Sequence, residues 1–208
     1  MSALYHFVRL HFLIACIAAL LLSVERTACA EEPVKGGHSY LFGDWNGARR
    51  ELADKGLTIE SILTADVVSN FTGDGKHRVE SPLNYDLTLT FDTTKGSLWE
   101  SGTFFLYVLG NTGREPVALS EVIQTTDNIV TDEDLKVYEA WYQQEFAEGQ
   151  FSVLLGLYDY NSEFYALDYA STLINSSFGI GIDVSQAGPS IFSETALAAR
   201  VKYNPSDH

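Results

Sequence analysis

Six segments of about strand length, most of them alternating apolar with polar residues, are joined by connections that alternate long with short. Successive strand side chains point to opposite faces, so each such segment is a ribbon with one oily side and one wet side. The clearest is NYDLTLTFD (84–92), with Tyr85, Leu87, Leu89 and Phe91 apolar and Asn84, Asp86, Thr88, Thr90 and Asp92 polar. LTIESILTADVVSNF (57–71) follows the same rule, with Ile62 as the exception. TFFLYVLGN (103–111) is apolar on both faces, and LKVYEAWYQQEF (135–146), FSVLLGLYD (151–159) and TALAARVKY (195–203) complete the set. The first connection is the polar FTGDGKHRVESPL, and the second is shorter and contains Lys95-Gly96. The third is rich in Asn, Thr and Asp, the fourth is the tight AEGQ (147–150), and the fifth, 160–194, is the longest. In an up-and-down sheet alternate connections share an end, so the long loops gather at one end and the tight turns at the other. Transmembrane barrels have this asymmetry and strands of this length. On the oily face of 84–92 the aromatics stand at the ends and leucines between them, the order of an interfacial aromatic belt around hydrocarbon. A β-sandwich strand with aromatic core residues satisfies the same pattern.

The first 30 residues are of another kind. An apolar run, FLIACIAALLL (12–22), is followed by TACA (27–30), with small residues at Ala28 and Ala30. This is the form of a secretory signal peptide, expected to be cut after Ala30. Both cysteines, Cys16 and Cys29, fall inside it, so the exported chain is expected to rely on burial and backbone hydrogen bonding without disulfides. Beyond residue 30 no apolar run reaches the length of a membrane-spanning helix, which leaves a soluble protein or a β-barrel. A net charge of -15 argues against a nucleic-acid binder, which needs clustered Lys and Arg. DWNGARRELADKG (44–56) predicts a short helix, with Asp44 or Asn46 as cap, Ala48, Leu52 and Ala53 as a narrow apolar stripe and Gly56 as the stop.

Three stretches together resemble the carbohydrate-selective porins of the OprB type: LFGDWNGARRELADKGLTIE (41–60); KVYEAWYQQEF (136–146) with LLGLYDYNSEFY (154–165); and NSSFGIGIDVSQAGPSIF (175–192) before TALAARVKY. The resemblance implies a 16-stranded barrel in the Gram-negative outer membrane that passes sugars by diffusion, with a short N-terminal helix near the periplasmic mouth. It implies that the third long loop, here 160–194, folds inward and narrows the pore. The expected architecture is therefore all-β: a signal peptide (1–30), an N-terminal segment with a short helix (31–56), and about six strands of an antiparallel transmembrane barrel (57–208). Six strands leave two open edges and cannot enclose a channel. The chain is accordingly expected to be the N-terminal part of a porin, unable to form the pore alone.

A diffusion pore needs a wet lumen and a constriction rather than a catalyst. Sugars present hydroxyls to charged and amide groups and apolar ring faces to aromatic side chains. Alternation sends Glu60, Thr64 and Asp66 of the first strand, and Asp86, Thr88 and Thr90 of the second, to the lumen. In the fourth strand Tyr138, Ala140, Tyr142 and Phe146 are expected to face lipid, which turns Glu139, Trp141 and Gln143 inward, the first two as a hydrogen-bonding and stacking pair. In the sixth, Arg200 and Lys202 face in. Arg200 stands against the carboxylates of the long loop, Asp159, Glu163 and Asp168, either to orient a polar solute or to pin the loop to the wall. Gly156 is expected to let that loop pack closely or to relieve the strand.

Other signals carry less. TDED (131–134) lacks the spacing of a calcium loop. His38, His77 and His208 are too scattered for zinc, and no nucleophile or phosphate-loop motif occurs, so neither metal, cofactor nor catalytic group is expected. Asn70-Phe71-Thr72 and Asn175-Ser176-Ser177 match a glycosylation pattern of no use in a bacterial outer membrane. The rival class is a secreted β-rich sugar-binding module or glycosidase drawing on Glu139, Asp159 and Glu163. A small complete barrel is the third.

Overall fold

Antiparallel pairing turns the alternation into two continuous faces. The computed structural model describes residues 40–72, 77–113, 126–129, 134–164, 173–178, 192 and 194–205. The expected signal peptide, both cysteines, His38, His208, Asp168, most of TDED and most of the 160–194 loop lie outside the described residues.

The chain divides into two compact units at Asp54/Lys55. In the first, a 3-10 turn (Trp45–Gly47) leads into α1 (Ala48–Asp54). The expected cap is not used as such. Asp44 makes no side-chain capping bond, its carboxylate instead holding Arg50 Nε at 2.7 Å, and Asn46 sits at a positive φ inside the turn. The Arg49 guanidinium lies over the Tyr40 ring at 3.8 Å and the Trp45 ring at 4.6 Å, the favoured placement of a cation on aromatic faces.

The second unit is an open six-stranded sheet in the order β1-β4-β5-β6-β7-β8. Its strands are β1 (Leu57–Ala65), β4 (Leu83–Asp92), β5 (Gly102–Thr112), β6 (Asp134–Phe146), β7 (Phe151–Tyr158) and β8 (Ala196–Tyr203). A separate ribbon joins β2 (Val68–Ser69) to β3 (Val79–Glu80). The expected first strand is thus shorter than 57–71. Its ladder stops where Ala65 faces Leu83, because Pro82, the next partner, has no N–H to donate. The chain makes one last bond there, from Asp66 N to Pro82 O at 3.1 Å, and then turns into the ribbon.

The register aligns the oily residues across the strands. One row runs Ile59, Leu89, Leu106, Ala140, Leu157, Leu197, and the next runs Leu57, Phe91, Phe104, Tyr142, Leu155, Ala199. Many members of this face are exposed, among them Leu63, Val137, Leu155, Leu197, Val201 and Tyr203. Among the described residues no second layer covers it. Each large aliphatic left in water forgoes about 1.5–3 kcal/mol of burial, so the face requires an apolar neighbour from outside this unit. Within the six strands the most buried side chains lie instead on the other, inner face: Leu109, Leu154 and Tyr138, with the polar Asn84, Asn111, Glu139 and Ser152. At the tight-turn end aromatics gather on the oily side. Trp99 Nε1 donates to the Tyr142 hydroxyl at 2.7 Å, Trp99 and Tyr142 pack on Phe104, and Phe146 packs on Phe151.

Candidate functional site on the inner face

Inner-face residues are set by the same register. Glu60 lies opposite Thr88 and Asp86 opposite Ile62, so these carboxylates share the face that alternation assigned them. Asp86 is engaged by the Tyr107 hydroxyl at 2.5 Å. On β6, Trp141 Nε1 donates to Glu139 Oε2 at 3.0 Å, and the Trp141 ring stacks on Phe105, with centroids 4.8 Å apart and planes 24° apart. Glu139 Oε2 also accepts the Asp159 backbone N–H at 3.3 Å. The expected pairing of Glu139 with Trp141 is therefore present, with Phe105 as a backing ring that strand alternation did not single out.

One expectation is corrected. Tyr138 does not join the oily face. A bulge between Tyr107 and Val108 on β5 leaves Tyr138 as the extra residue of β6, since Tyr107 pairs with Glu139 while Val108 pairs with Val137. A bulge inserts one residue and re-aims the side chains beyond it. Tyr138 is 2% exposed, packs edge-on against Tyr107 at 5.0 Å and against Phe192 at 5.7 Å, and its carbonyl accepts the Thr195 hydroxyl. The shift also returns Lys136 to the inner face, where it pairs with Glu194 at 2.9 Å. The signal lay in the segment itself: unbroken alternation with Tyr138 and Ala140 outward would have sent Lys136 outward too, where a charge is costly. Cysteine labelling checks the bulge. With Cys16 and Cys29 replaced by serine, Lys136→Cys and Glu139→Cys are expected to react with a water-soluble thiol reagent in micelles, and Val137→Cys and Ala140→Cys to be shielded. Labelling that alternates without a break through 136–140 would contradict the register.

The start of the long loop is fastened to the wall. After β7 the chain forms α2 (Asn161–Phe164), and Glu163 of this helix meets three partners. Arg200 Nε stands 2.9 Å from one oxygen, Lys202 Nζ 3.3 Å from the other, and the Tyr158 hydroxyl donates at 2.8 Å. Arg200 also donates to Ser152 Oγ at 2.7 Å and Gln143 Oε1 at 2.9 Å, so one side chain ties β6, β7, β8 and α2 together. Partial burial opposes ionisation of Glu163, but the Tyr158 hydroxyl and the Arg200 and Lys202 charges outweigh it and hold the carboxyl below its ordinary range. Asp159 stands apart from this clasp. Burial pushes its carboxyl up, against the Asn161 N–H it accepts at 2.9 Å. Asp66 lies beyond the end of β1, beside Asp127, whose carboxyl is raised by burial and by Asp66 against the Ile129 N–H. The candidates thus fall into a centre (Asp86, Glu139, Trp141, Asp159), a clasp (Glu163, Arg200, Lys202), and two outliers, Glu60 on the edge strand and Asp66. Tyr107, Phe105, Tyr158 and Ser152 were missed, because their roles depend on which strand lies beside which.

The profile of the carbohydrate-selective porin, OprB family, matches residues 82–208. The chain belongs to the OprB family. Among solved structures it is similar to the high-pH structure of OprB from Pseudomonas putida, with a TM-score of 0.73 at 21% identity, over 84% of this chain and 44% of that one. The low-pH structure of the same protein matches with a TM-score of 0.49 at 20% identity, over 63% of this chain and 42% of that one. Comparison with curated proteins gives no match. This OprB-family chain therefore spans less than half the length of the solved porin it resembles, and its open sheet is a partial barrel of that fold. The family's members are non-enzymatic channels, so the carboxylates above are not a glycosidase pair.

Proposed function

We propose that the chain supplies the N-terminal strands of a larger outer-membrane barrel through which carbohydrates diffuse passively, and that the segment ending at Ala30 directs its export. The oily face would lie against lipid and the inner face would line the aqueous path. The observation that carries this is the stacked Phe105–Trp141 pair hydrogen-bonded to Glu139, on the face opposite an exposed apolar one. Aromatic faces and carboxylates suit the two surfaces of a sugar, its C–H plane and its hydroxyls. Glu60, Asp66 and Asp86 would keep the path wet, and the Arg200–Glu163–Lys202 clasp would hold the start of an inward-folding constriction loop that includes Asp168. The two open edges of the sheet would be costly in lipid, which supports reading the chain as part of a longer barrel.

Liposome swelling tests the proposal in the complete barrel that carries these residues. Glucose-sized sugars are expected to enter faster than size-matched non-sugar solutes. Trp141→Ala is expected to reduce that preference by up to about tenfold, the equivalent of a stacking contact of about 1.4 kcal/mol. Equal swelling for sugars and non-sugars would defeat the carbohydrate reading, and a water-soluble, cooperatively folded 31–208 chain would defeat the membrane reading.

A further inference from the structure

We infer that a trough across the oily face seats one acyl chain of an anionic phospholipid, with the lipid phosphate at Lys95. The inference rests on the proposed placement of this face in a membrane. The trough has a volume of about 540 Å³. One bank is the row Leu89, Leu106, Ala140, and the other is the row Phe91, Phe104, Tyr142. The two rows stand two residues apart along the strands, about 6.7 Å. Between them the floor is the backbone at Phe105 and Trp141, whose side chains the register sends to the inner face. The trough begins at Leu57 on β1 and ends at Leu155 on β7, four strand spacings away, about 19 Å. Every residue of both banks is half-exposed or exposed, so the trough is open along its length. Ala140 carries only a methyl group, and the first bank is lowest there.

The charge at one end names the occupant. At the β1 end the Phe91 ring reaches the turn that carries Lys95, since a Cβ on Gly96 would meet its Cζ. Lys95 itself lies beside the entry to β1, its Cβ 3.3 Å from where a Cβ on Gly56 would stand. The Lys95 side chain is exposed and makes no ion pair among the described residues. The nearby Asp92 carboxylate is turned to the backbone N–H groups of Thr94 and Lys95, at 2.8 and 3.1 Å. Glu100, the other charge of this turn, stands on the β6 side, where Gln144 Nε2 holds its carbonyl at 2.9 Å. The second bank is at the level of the aromatic belt, with Trp99 hydrogen-bonded to Tyr142 and packed on Phe104, and such belts lie at the headgroup region. A cation at headgroup level beside an apolar trough with a fixed floor suits a phosphate followed by a hydrocarbon chain. A second copy of this chain would bring no phosphate to Lys95.

Native mass spectrometry of the purified chain in detergent micelles, titrated with dioleoyl phosphatidylglycerol, tests this, with heat-modifiable gel mobility reporting the fold. The parent is expected to retain one lipid. Ala140→Phe, which fills the trough with an apolar group, is expected to raise the apparent Kd about tenfold, the equivalent of about two buried methylenes. Leu106→Trp narrows the same bank and is expected to do likewise, so the test stands if Ala140→Phe does not fold. Leu197→Phe, on the same oily face outside the trough, is expected to bind like the parent. Lys95→Gln is expected to weaken phosphatidylglycerol about fivefold and to leave zwitterionic phosphatidylcholine at the parental level. Parental retention in both trough variants, equal weakening in Leu197→Phe, or a lipid-free dimer that Ala140→Phe dissociates would overturn the trough and leave the membrane reading standing. Parental phosphatidylglycerol affinity in Lys95→Gln would overturn the placement of the phosphate. A chain that folds in water without micelles and ignores the lipid would overturn both this inference and the membrane reading.

Discussion

Replacing Gly156 with alanine is expected to destabilise the sheet more than any other single-methyl change in it. The φ of +147° belongs to a region that only glycine occupies readily, and holding another residue there costs about 1–3 kcal/mol. The new Cβ would also press on Ala140 O and on the Trp141 backbone, atoms that cannot swing aside as a side-chain tip can. To relieve this, β7 must draw away from β6 along the Ala140–Leu157 and Trp141–Gly156 pairs, at the expense of ladder hydrogen bonds worth about 0.5–1.5 kcal/mol each. Urea unfolding in micelles, followed by heat-modifiable gel mobility, is the measurement. Alanine at the neighbouring Leu155, which is exposed on the oily face, is the control. If Gly156→Ala unfolds at the parental urea concentration, the close approach of β7 to β6 is wrong.

Arg200→Leu is expected to release α2 from the wall. Breaking a hydrogen-bonded charge pair costs about 1.5–3 kcal/mol when solvent is excluded. The Glu163 side chain is 26% exposed and Lys202 remains beside it, so about 1–2 kcal/mol is the appropriate figure. Amide exchange of Phe164, whose N–H is held by Tyr160 O at 3.1 Å, should then accelerate by about tenfold. The same clasp makes α2 acid-sensitive. The Glu163 carboxyl is held below its unfolded value of about 4.3. Its stabilisation is therefore complete above about pH 4.3 and is lost as pH falls through the lower, folded value. Parental α2 should loosen below about pH 4, and Glu163→Gln should behave at neutral pH as the parent does in acid. Exchange at Phe164 that ignores both substitutions and the acid step would show that the long loop is held elsewhere.

The period-two pattern was sufficient for the strands. Every segment read from it is paired in the sheet, because the two faces of a strand meet different media and the side chains must sort accordingly. It was equally sufficient for Glu139 beside Trp141 and for Arg200 opposite a loop carboxylate. It failed where one residue breaks the count. The bulge at Tyr138 reverses the faces of 135–137, and within one strand nothing but the placement of Lys136 announced it. Proline at 82 ended β1 six residues early for a similar reason: the hydrogen-bonding defect lies on the partner strand.

Sequence alone thus determined that this chain forms ribbons with one oily and one wet side, that long loops gather at one end, and which residue types face inward, since all of these follow from local periodicity and spacing. The assembled sheet is what sets Phe105 behind Trp141, Gly156 and Ala198 in the same row, and Glu163 among Arg200, Lys202 and Tyr158. Those contacts join residues far apart in the chain. Their identity depends on strand register, and register is a property of the assembled sheet.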